Sequence, residues 1–396
     1  MTNASDHSLF RHFEEELTHL RSEGLERSLV SADEFRGINL SSNDYLGLSH
    51  HPDVLAAASQ TLQTDGSGGT SSRLLAGTRK IHQQLEQALA AFFGKEAALV
   101  FSSGYHANTG IIPILAGPSD GIFVDRLCHA SIFDGIKLSG ARFRSFAHND
   151  LNELEIQLKT SRQKFRRALI VTEGLFSMDG DIPPLQSLVT LAERYGALTY
   201  LDEAHSIGLF GPDGSGVAAE AGLLDRIDVL IGTLSKSLGS QGAFVASQKA
   251  LIDLLISRSR SFLYTTALAP PCAAAALASL RLLPSLSDRR ACVLDASSRL
   301  RAELSKNGFD VLTGSSQIIP VWTGDLEKTK SLSDYLFNRG FFVPSIRPPT
   351  VPIGEGRVRL SVTYDVVQKG LDPLIREFLS YPQRPHRPGE KCVPTH

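Results

Sequence analysis

Cysteine is scarce in this chain, and its spacing excludes more than its number does. Cys128, Cys272, Cys292 and Cys392 are scattered with no close pair. That argues against a disulfide framework or a zinc site, so they read as free thiols. Charge of one sign is also missing: 40 Lys and Arg stand against 42 Asp and Glu, a formal net charge of -2. Bulk charge therefore gives no case for nucleic acid or a membrane surface as partner. No apolar run approaches the ~18 residues of a membrane span, and the opening MTNASDHSLFRHFEEELTHL lacks the apolar core of a signal peptide. A soluble, cytoplasmic protein is expected. Two phosphate-binding signatures are missing too, GxxxxGK[ST] in the Gly-rich stretch at 64 to 78 and GxGxxG after an N-terminal strand, which disfavours a P-loop or dinucleotide-binding protein. What the chain does have is length: 396 residues bury a large core and divide into two or more units.

The stretch from Ala197 to Gly242 organises the rest. ALTYLDEAHSIGLFG and DVLIGTLSKSLGSQG each hold a short apolar run bounded by turn residues, the pattern of buried parallel strands. Asp202 and His205 leave the first run, and Thr233 and Lys236 leave the second. In an open α/β sheet that edge binds ligands. A lysine able to form a Schiff base, with a carboxylate to pair with a pyridinium nitrogen, is the set that pyridoxal phosphate (PLP) needs. Taken singly, a strand-end Asp is usually a helix cap and a Lys usually solvated. Buried together and unpaired, they would each cost several kcal/mol, and partnership with a cofactor removes that cost.

In chain order, Phe13, Leu17 and Leu20 give residues 9 to 30 helical spacing, an amphipathic arm expected to dock on the body or on a second subunit and to end at Gly24. INLSSNDYLGLSHHP reads as a short strand and a polar turn, with Asn43, Asp44 and Tyr45 as turn chemistry and a helix cap. TDGSGGTSSRLLAGT, residues 64 to 78, reads as a flexible loop on the substrate side. Residues 82 to 93 form a core helix through Leu85, Leu89 and Phe92, ended by Gly94. AALVFSSGYHANTGI reads as strand, tight turn and helix start, so the N–H groups near Ser103, Gly104 and Tyr105 are candidates to hold a phosphate. GIFVDRLCHAS leads from a strand to His129, a cap in the bland reading and a flat partner for a cofactor ring in the functional one. ALIVTEGLFSMDGDIPPL ends a buried strand with Glu173, Ser177 and Asp179, of which Ser177 offers a hydroxyl to a ligand and Asp179-Gly180 reads as a turn. Leucine- and alanine-rich helices fill residues 246 to 300. Beyond them, QIIPVW, FFVPSI and RVRLSVT read as strands around a helix from Lys328 to Asn338. Alternation in RVRLSVT puts Arg357 and Arg359 on one face.

These pieces resemble, in order, the motifs of the α-oxoamine synthases: SSNDYLGL, SSGYHAN, DRLCHAS, EGLFSMDGD, LDEAHSIGLFG, GTLSKSLG and IRPPTVPIGEGRVRL. The resemblance covers roughly residues 38 to 365 and implies a fold-type I PLP enzyme that condenses an amino acid with an acyl thioester and releases carbon dioxide. It implies an α/β fold: a large domain with a mostly parallel seven-stranded sheet plus a smaller α+β C-terminal domain. The expected division is an arm at 1–45, a PLP-binding domain at 46–284, a small domain at 285–382 and a disordered tail at 383–396.

Carried over by position, Lys236 is the Schiff-base lysine, Asp202 the partner of the pyridine nitrogen, His205 the partner of the ring's phenolic oxygen and His129 the stacking residue. Ser103 to Tyr105 and Thr233 hold the phosphate, with Thr265 or Thr266 arriving from a second subunit, which implies a homodimer with shared sites. Arg359 takes the amino-acid carboxylate in a bidentate pair and Arg357 is a surface charge. Asn43, Arg347 and Thr350 fall on the substrate side, joined by Arg27, with Arg21 as the other candidate. IRPPTVP is the form of members that use L-alanine and a pimeloyl thioester, carried on CoA or a carrier protein. LDEAHSIG, however, is nearer to relatives that use serine or glycine, and Gly242-Ala243 replaces a more usual Gly-Gly, so substrate preference stays open. A non-catalytic subunit of a heterodimer is disfavoured by the intact Lys236, Asp202 and His205.

Overall fold

A computed structural model describes residues 7–31 and 35–382. The expected disordered tail at 383–396, with Cys392, lies outside the described residues.

The described residues form three sheets. An early strand, β1 (Ile38–Asn39), is followed by seven that form the main sheet: β2 (Ala97–Phe101), β3 (Gly121–Asp125), β4 (Arg142–Phe146), β5 (Ala168–Glu173), β6 (Leu198–Asp202), β7 (Val229–Thr233) and β8 (Ala243–Ser247). Their spatial order is β2-β8-β7-β6-β5-β3-β4, with β8 antiparallel to both neighbours and every other pair parallel. Helices cover both faces, so β3, β5, β7 and β8 are buried along their whole length, which is why their sequences run apolar instead of alternating. The parallel strands therefore deliver their C-terminal ends to one edge, as the two-run reading requires.

The C-terminal part holds β9 (Ile318–Gly324), β10 (Phe341–Phe342), β11 (Ser345–Ile346) and β12 (Gly356–Ser361), with β9, β12 and β11 in one antiparallel sheet. The arm reaches into this part: β1 pairs in parallel with β10, Ile38 opposite Phe341. The first and last thirds of the chain are thus tied by backbone hydrogen bonds, and the SSNDYLGL turn that follows β1 is set between the two sheets.

Two local expectations change. The loop at 64 to 78 is partly regular: Arg73–Gly77 forms a turn of π-helix, pinned by a buried two-pronged pair from Arg73 to Glu86 at 2.9 and 3.0 Å. The arm helix runs to Ser22 with Gly24 at positive φ just beyond it, and its apolar face, Phe10, Phe13 and Leu17, is exposed and does not pack on the body of this chain. Arg357 is not a surface charge. It is buried on β12 because that strand's whole length is covered, and it pairs with Asp179. Among the described residues, no helix is long and apolar enough to cross a membrane.

Candidate active site

A cavity of about 190 Å³ opens at the C-terminal edge of the main sheet, lined by Gly104, Tyr105, His129, Asp202, His205, Thr233 and Lys236 among others. Each arrives for a local reason. Ser103 caps the helix Gly104–Leu115 by accepting from the His106 N–H at 3.2 Å, leaving that helix N-terminus facing the cavity through Gly104, where an added Cβ would meet nothing within 4 Å. His129 follows β3 and caps the helix Ala130–Ser139, its Nδ1 accepting from the Ser131 N–H at 3.2 Å. The bland and functional readings of His129 therefore hold together, since the capping ring also lines the cavity. Thr233 ends β7, its hydroxyl 2.7 Å from that of Ser235.

Asp202 ends β6 with both oxygens occupied. Oδ1 accepts from the Ala204 N–H at 3.0 Å and Oδ2 from Nδ2 of Asn108 at 3.1 Å. Asn108 is itself fixed by the Tyr200 hydroxyl, which donates to its Oδ1, and by a second donation from Nδ2 to Ser131 at 2.9 Å. Ser131 contacts His129 Nδ1 at 2.7 Å. One hydrogen-bond chain thus joins His129 to Asp202. Sequence reasoning missed Asn108, Ser131 and Tyr200, although Asn108 stands inside the quoted SSGYHAN motif.

Burial sets the protonation of this site. Removal from water pushes the Lys236 amine down to about 8, against the pull of Asp202 and Glu173. The same removal, helped by the Asp202 charge, pushes Glu173 up to about 8. Glu173 accepts from the His129 backbone N–H at 2.5 Å. His205 is held well below the ordinary imidazole value by burial and by the positive charges of Lys236 and Arg359. An amine more easily deprotonated than an ordinary lysine, beside a carboxylate, two imidazoles and hydroxyl groups, with open space at a helix N-terminus, is a donor set that fits PLP.

Arg359 on β12 donates through Nε to the Ser177 carbonyl at 2.6 Å and through Nη2 to Oδ1 of Asn43 at 3.4 Å. Ser177 thus meets Arg359 through its carbonyl. Tyr45 connects this pair to the cavity, its hydroxyl lying 3.1 Å from Asn43 and 2.7 Å from His205. Arg27, Arg347 and Thr350 meet in a second cavity, of about 470 Å³, between the arm and the C-terminal part. Arg27 donates to the Thr350 hydroxyl at 3.1 Å, and Arg347 donates to the Gly24 and Glu26 carbonyls. Arg21 instead pairs with Glu26 at 2.8 Å and does not line this cavity. Thr265 and Thr266 do not line the main cavity. Thr266 bridges to Ser72 and accepts through its carbonyl from the Ser102 hydroxyl at 3.3 Å.

Comparison with known proteins agrees with this geometry. Residues 36–376 match the family model of class I and II aminotransferases. An 8-amino-7-oxononanoate synthase of Anaeromyxobacter dehalogenans is 45% identical over 365 residues, 89% of this chain and 91% of that protein. A serine palmitoyltransferase from S. paucimobilis, solved with PLP-bound myriocin, superposes with a TM-score of 0.87 at 33% identity, covering 94% of this chain and 97% of its own. An 8-amino-7-oxononanoate synthase from Francisella tularensis gives a TM-score of 0.73 at 29% identity, over 87% and 98% of the two chains. The chain belongs to the class I and II aminotransferase family and, within it, to the α-oxoamine synthases, fold-type I enzymes that use PLP. It is a PLP-dependent acyltransferase.

Proposed function

We propose that this enzyme is an 8-amino-7-oxononanoate synthase, joining L-alanine to a pimeloyl thioester with loss of carbon dioxide, a step of biotin biosynthesis. The observation that carries the reading is the convergence of Lys236, Asp202, His205 and His129 on one cavity, with the Arg359–Asn43 pair one tyrosine away. The 45% identity to a synthase of that name supports the substrate pair.

When bound, PLP supplies an electron sink for the charge that develops at the amino acid's Cα. Lys236 would anchor it, Asp202 would face its ring nitrogen, His205 its phenolic oxygen and His129 its open face. Ser103, Gly104, Tyr105 and Thr233 would hold its phosphate at the helix N-terminus. Arg359 binds the alanine carboxylate and so orients the Cα–H bond. Lys236, freed as a neutral amine, takes the Cα proton. The Cα–C bond to the thioester carbonyl then forms as the thiol leaves, the resulting β-keto acid loses carbon dioxide, and a proton returned to Cα, from Lys236 in this reading, completes the amino ketone. Arg27, Arg347 and Thr350, in the second cavity, would take a distal carboxylate of the acyl chain.

A homodimer fits this reading. Leu74, Leu75 and Tyr264 are exposed beside the Ser72–Thr266 bridge, an apolar patch next to the threonines that a second subunit would share. Free Cys128 and Cys272 suit the reducing cytoplasm.

One observation favours a second reading: the TM-score to the serine palmitoyltransferase is 0.87, against 0.73 for the Francisella synthase. Side-by-side turnover separates them. Purified protein with PLP is given L-alanine, glycine or L-serine with pimeloyl-CoA or palmitoyl-CoA, products are identified by mass, and Lys236→Ala serves as control. Product from alanine and pimeloyl-CoA is expected. Preference for serine with palmitoyl-CoA would remove the substrate assignment while leaving the cofactor chemistry.

A further inference from the structure

Tyr45 has no task in the mechanism above, yet it is among the largest fully buried side chains of the protein. Its hydroxyl has two acceptors in reach, Nδ1 of His205 at 2.7 Å and Oδ1 of Asn43 at 3.1 Å. A phenol has one proton to give. Asn43 Oδ1 already receives Arg359 Nη2, and the His205 contact is the shorter. Burial raises the Tyr45 phenol, so it keeps its proton, and holds His205 well below its ordinary value, so that ring is neutral. A neutral imidazole carries one N–H and one lone pair, and the hydrogen bond at one nitrogen decides which nitrogen holds the proton.

We propose that Tyr45 is a positioning residue whose O–H donates to Nδ1 of His205 and thereby fixes the tautomer with the proton on Nε2, the nitrogen left for the cavity. Gln317 supports the arrangement from behind, donating through Nε2 to the His205 carbonyl at 2.9 Å. His205 then presents a donor, not a lone pair, to whatever oxygen occupies the site. The catalytic consequence rests on the function proposed above, where that oxygen belongs to the cofactor, whereas the tautomer itself does not. Tyr45 Oη also lies 3.1 Å from Asn43 Oδ1, so the phenol packs against the amino-acid clamp while its one proton goes to His205.

The test is nitrogen NMR of the cofactor-free protein labelled with ¹⁵N-histidine, with His205→Gln to assign the ring. The wild type is expected to show His205 as the Nε2–H tautomer. Tyr45→Phe, which keeps the buried ring, should lose that preference while melting as one folded species. With PLP bound, the pH midpoint of its visible absorbance should shift in Tyr45→Phe, and kcat should fall roughly tenfold, the effect of one hydrogen bond, with KM for alanine changing less. A wild-type ring protonated on Nδ1 overturns the proposal, and so does a folded Tyr45→Phe with an unchanged tautomer. Should Tyr45→Phe not fold, the wild-type spectrum still decides the assignment. An Nε2–H ring in a protein that does not turn over alanine would sink the functional reading and leave this one standing.

Discussion

Arg357 pairs with Asp179, reaching from β12 to the turn after β5, two residues along the strand from Arg359. Together the two arginines grip one turn, Arg359 at the Ser177 carbonyl and Arg357 at the Asp179 carboxylate. Period-two alternation puts them on the same face. The turn is therefore held to the C-terminal sheet at two points, and the guanidinium expected to bind substrate is held with it.

Arg357→Ala removes one of those points and leaves Asp179, largely buried, without its counter-ion. We expect a loss of about 2 kcal/mol in urea unfolding and a rise in KM for alanine larger than the fall in kcat. Arg357→Lys should recover part of the stability. A variant that unfolds within ~0.5 kcal/mol of wild type, with unchanged KM, would show that the grip does not position Arg359.

His148 bridges two carboxylates, Asp125 at 3.0 Å and Asp181 at 2.8 Å. Burial would lower its pKa, but the hydrogen bonds and charges of Asp125 and Asp181 outweigh it and raise the ring to about 10. A base whose folded value lies above its unfolded one contributes stability that is full below the unfolded pKa of about 6.5 and lost as pH rises through the folded one. Unfolding free energy should therefore decline between about pH 6.5 and about 10, and His148→Gln should flatten that decline. An identical slope in the variant would refute the assignment.

The Lys236 amine, lowered to about 8, is neutral in roughly one molecule in ten at pH 7. Cofactor capture needs that neutral form. The rate at which cofactor-free protein takes up PLP, followed by visible absorbance, should climb through a midpoint near 8 and level off above it. A rate still rising steeply beyond pH 10 would place the amine at its ordinary value.

Much of this was legible in the chain. The runs ending in Asp202 and Thr233 announced buried parallel strands because covered strands need no polar alternation, and the Gly24 and Gly94 stops fell at positive φ as helix ends require. Arg357 was misread because alternation reports which face a residue is on and not whether that face is covered, and its cover comes from Asp179, 178 residues away. The loop at 64 to 78 was misread for a similar reason: composition signals flexibility, but a single buried Arg73–Glu86 pair orders it. Asn108, Ser131 and Tyr200 escaped notice, and Tyr45 was read only as turn chemistry, because each acts through another side chain, and such partnerships are set by tertiary packing alone.

Asn108 offers the sharpest check on the site itself, because its amide is the neutral hub between Asp202, Ser131 and Tyr200. Asn108→Ala leaves the buried Tyr200 hydroxyl without its acceptor and frees Asp202 to rotate, so PLP affinity should fall by about tenfold or more, the cost of a buried group left unsatisfied. Asn108→Asp is nearly isosteric but sets a second carboxylate against Asp202, where two like charges cannot both ionise freely. It should bind PLP worse than the alanine variant at pH 8 and recover toward it as pH falls. Titrating both variants with the cofactor at two pH values decides the matter: if the aspartate variant binds as well as wild type at pH 8, Asn108 does not serve Asp202 through its amide.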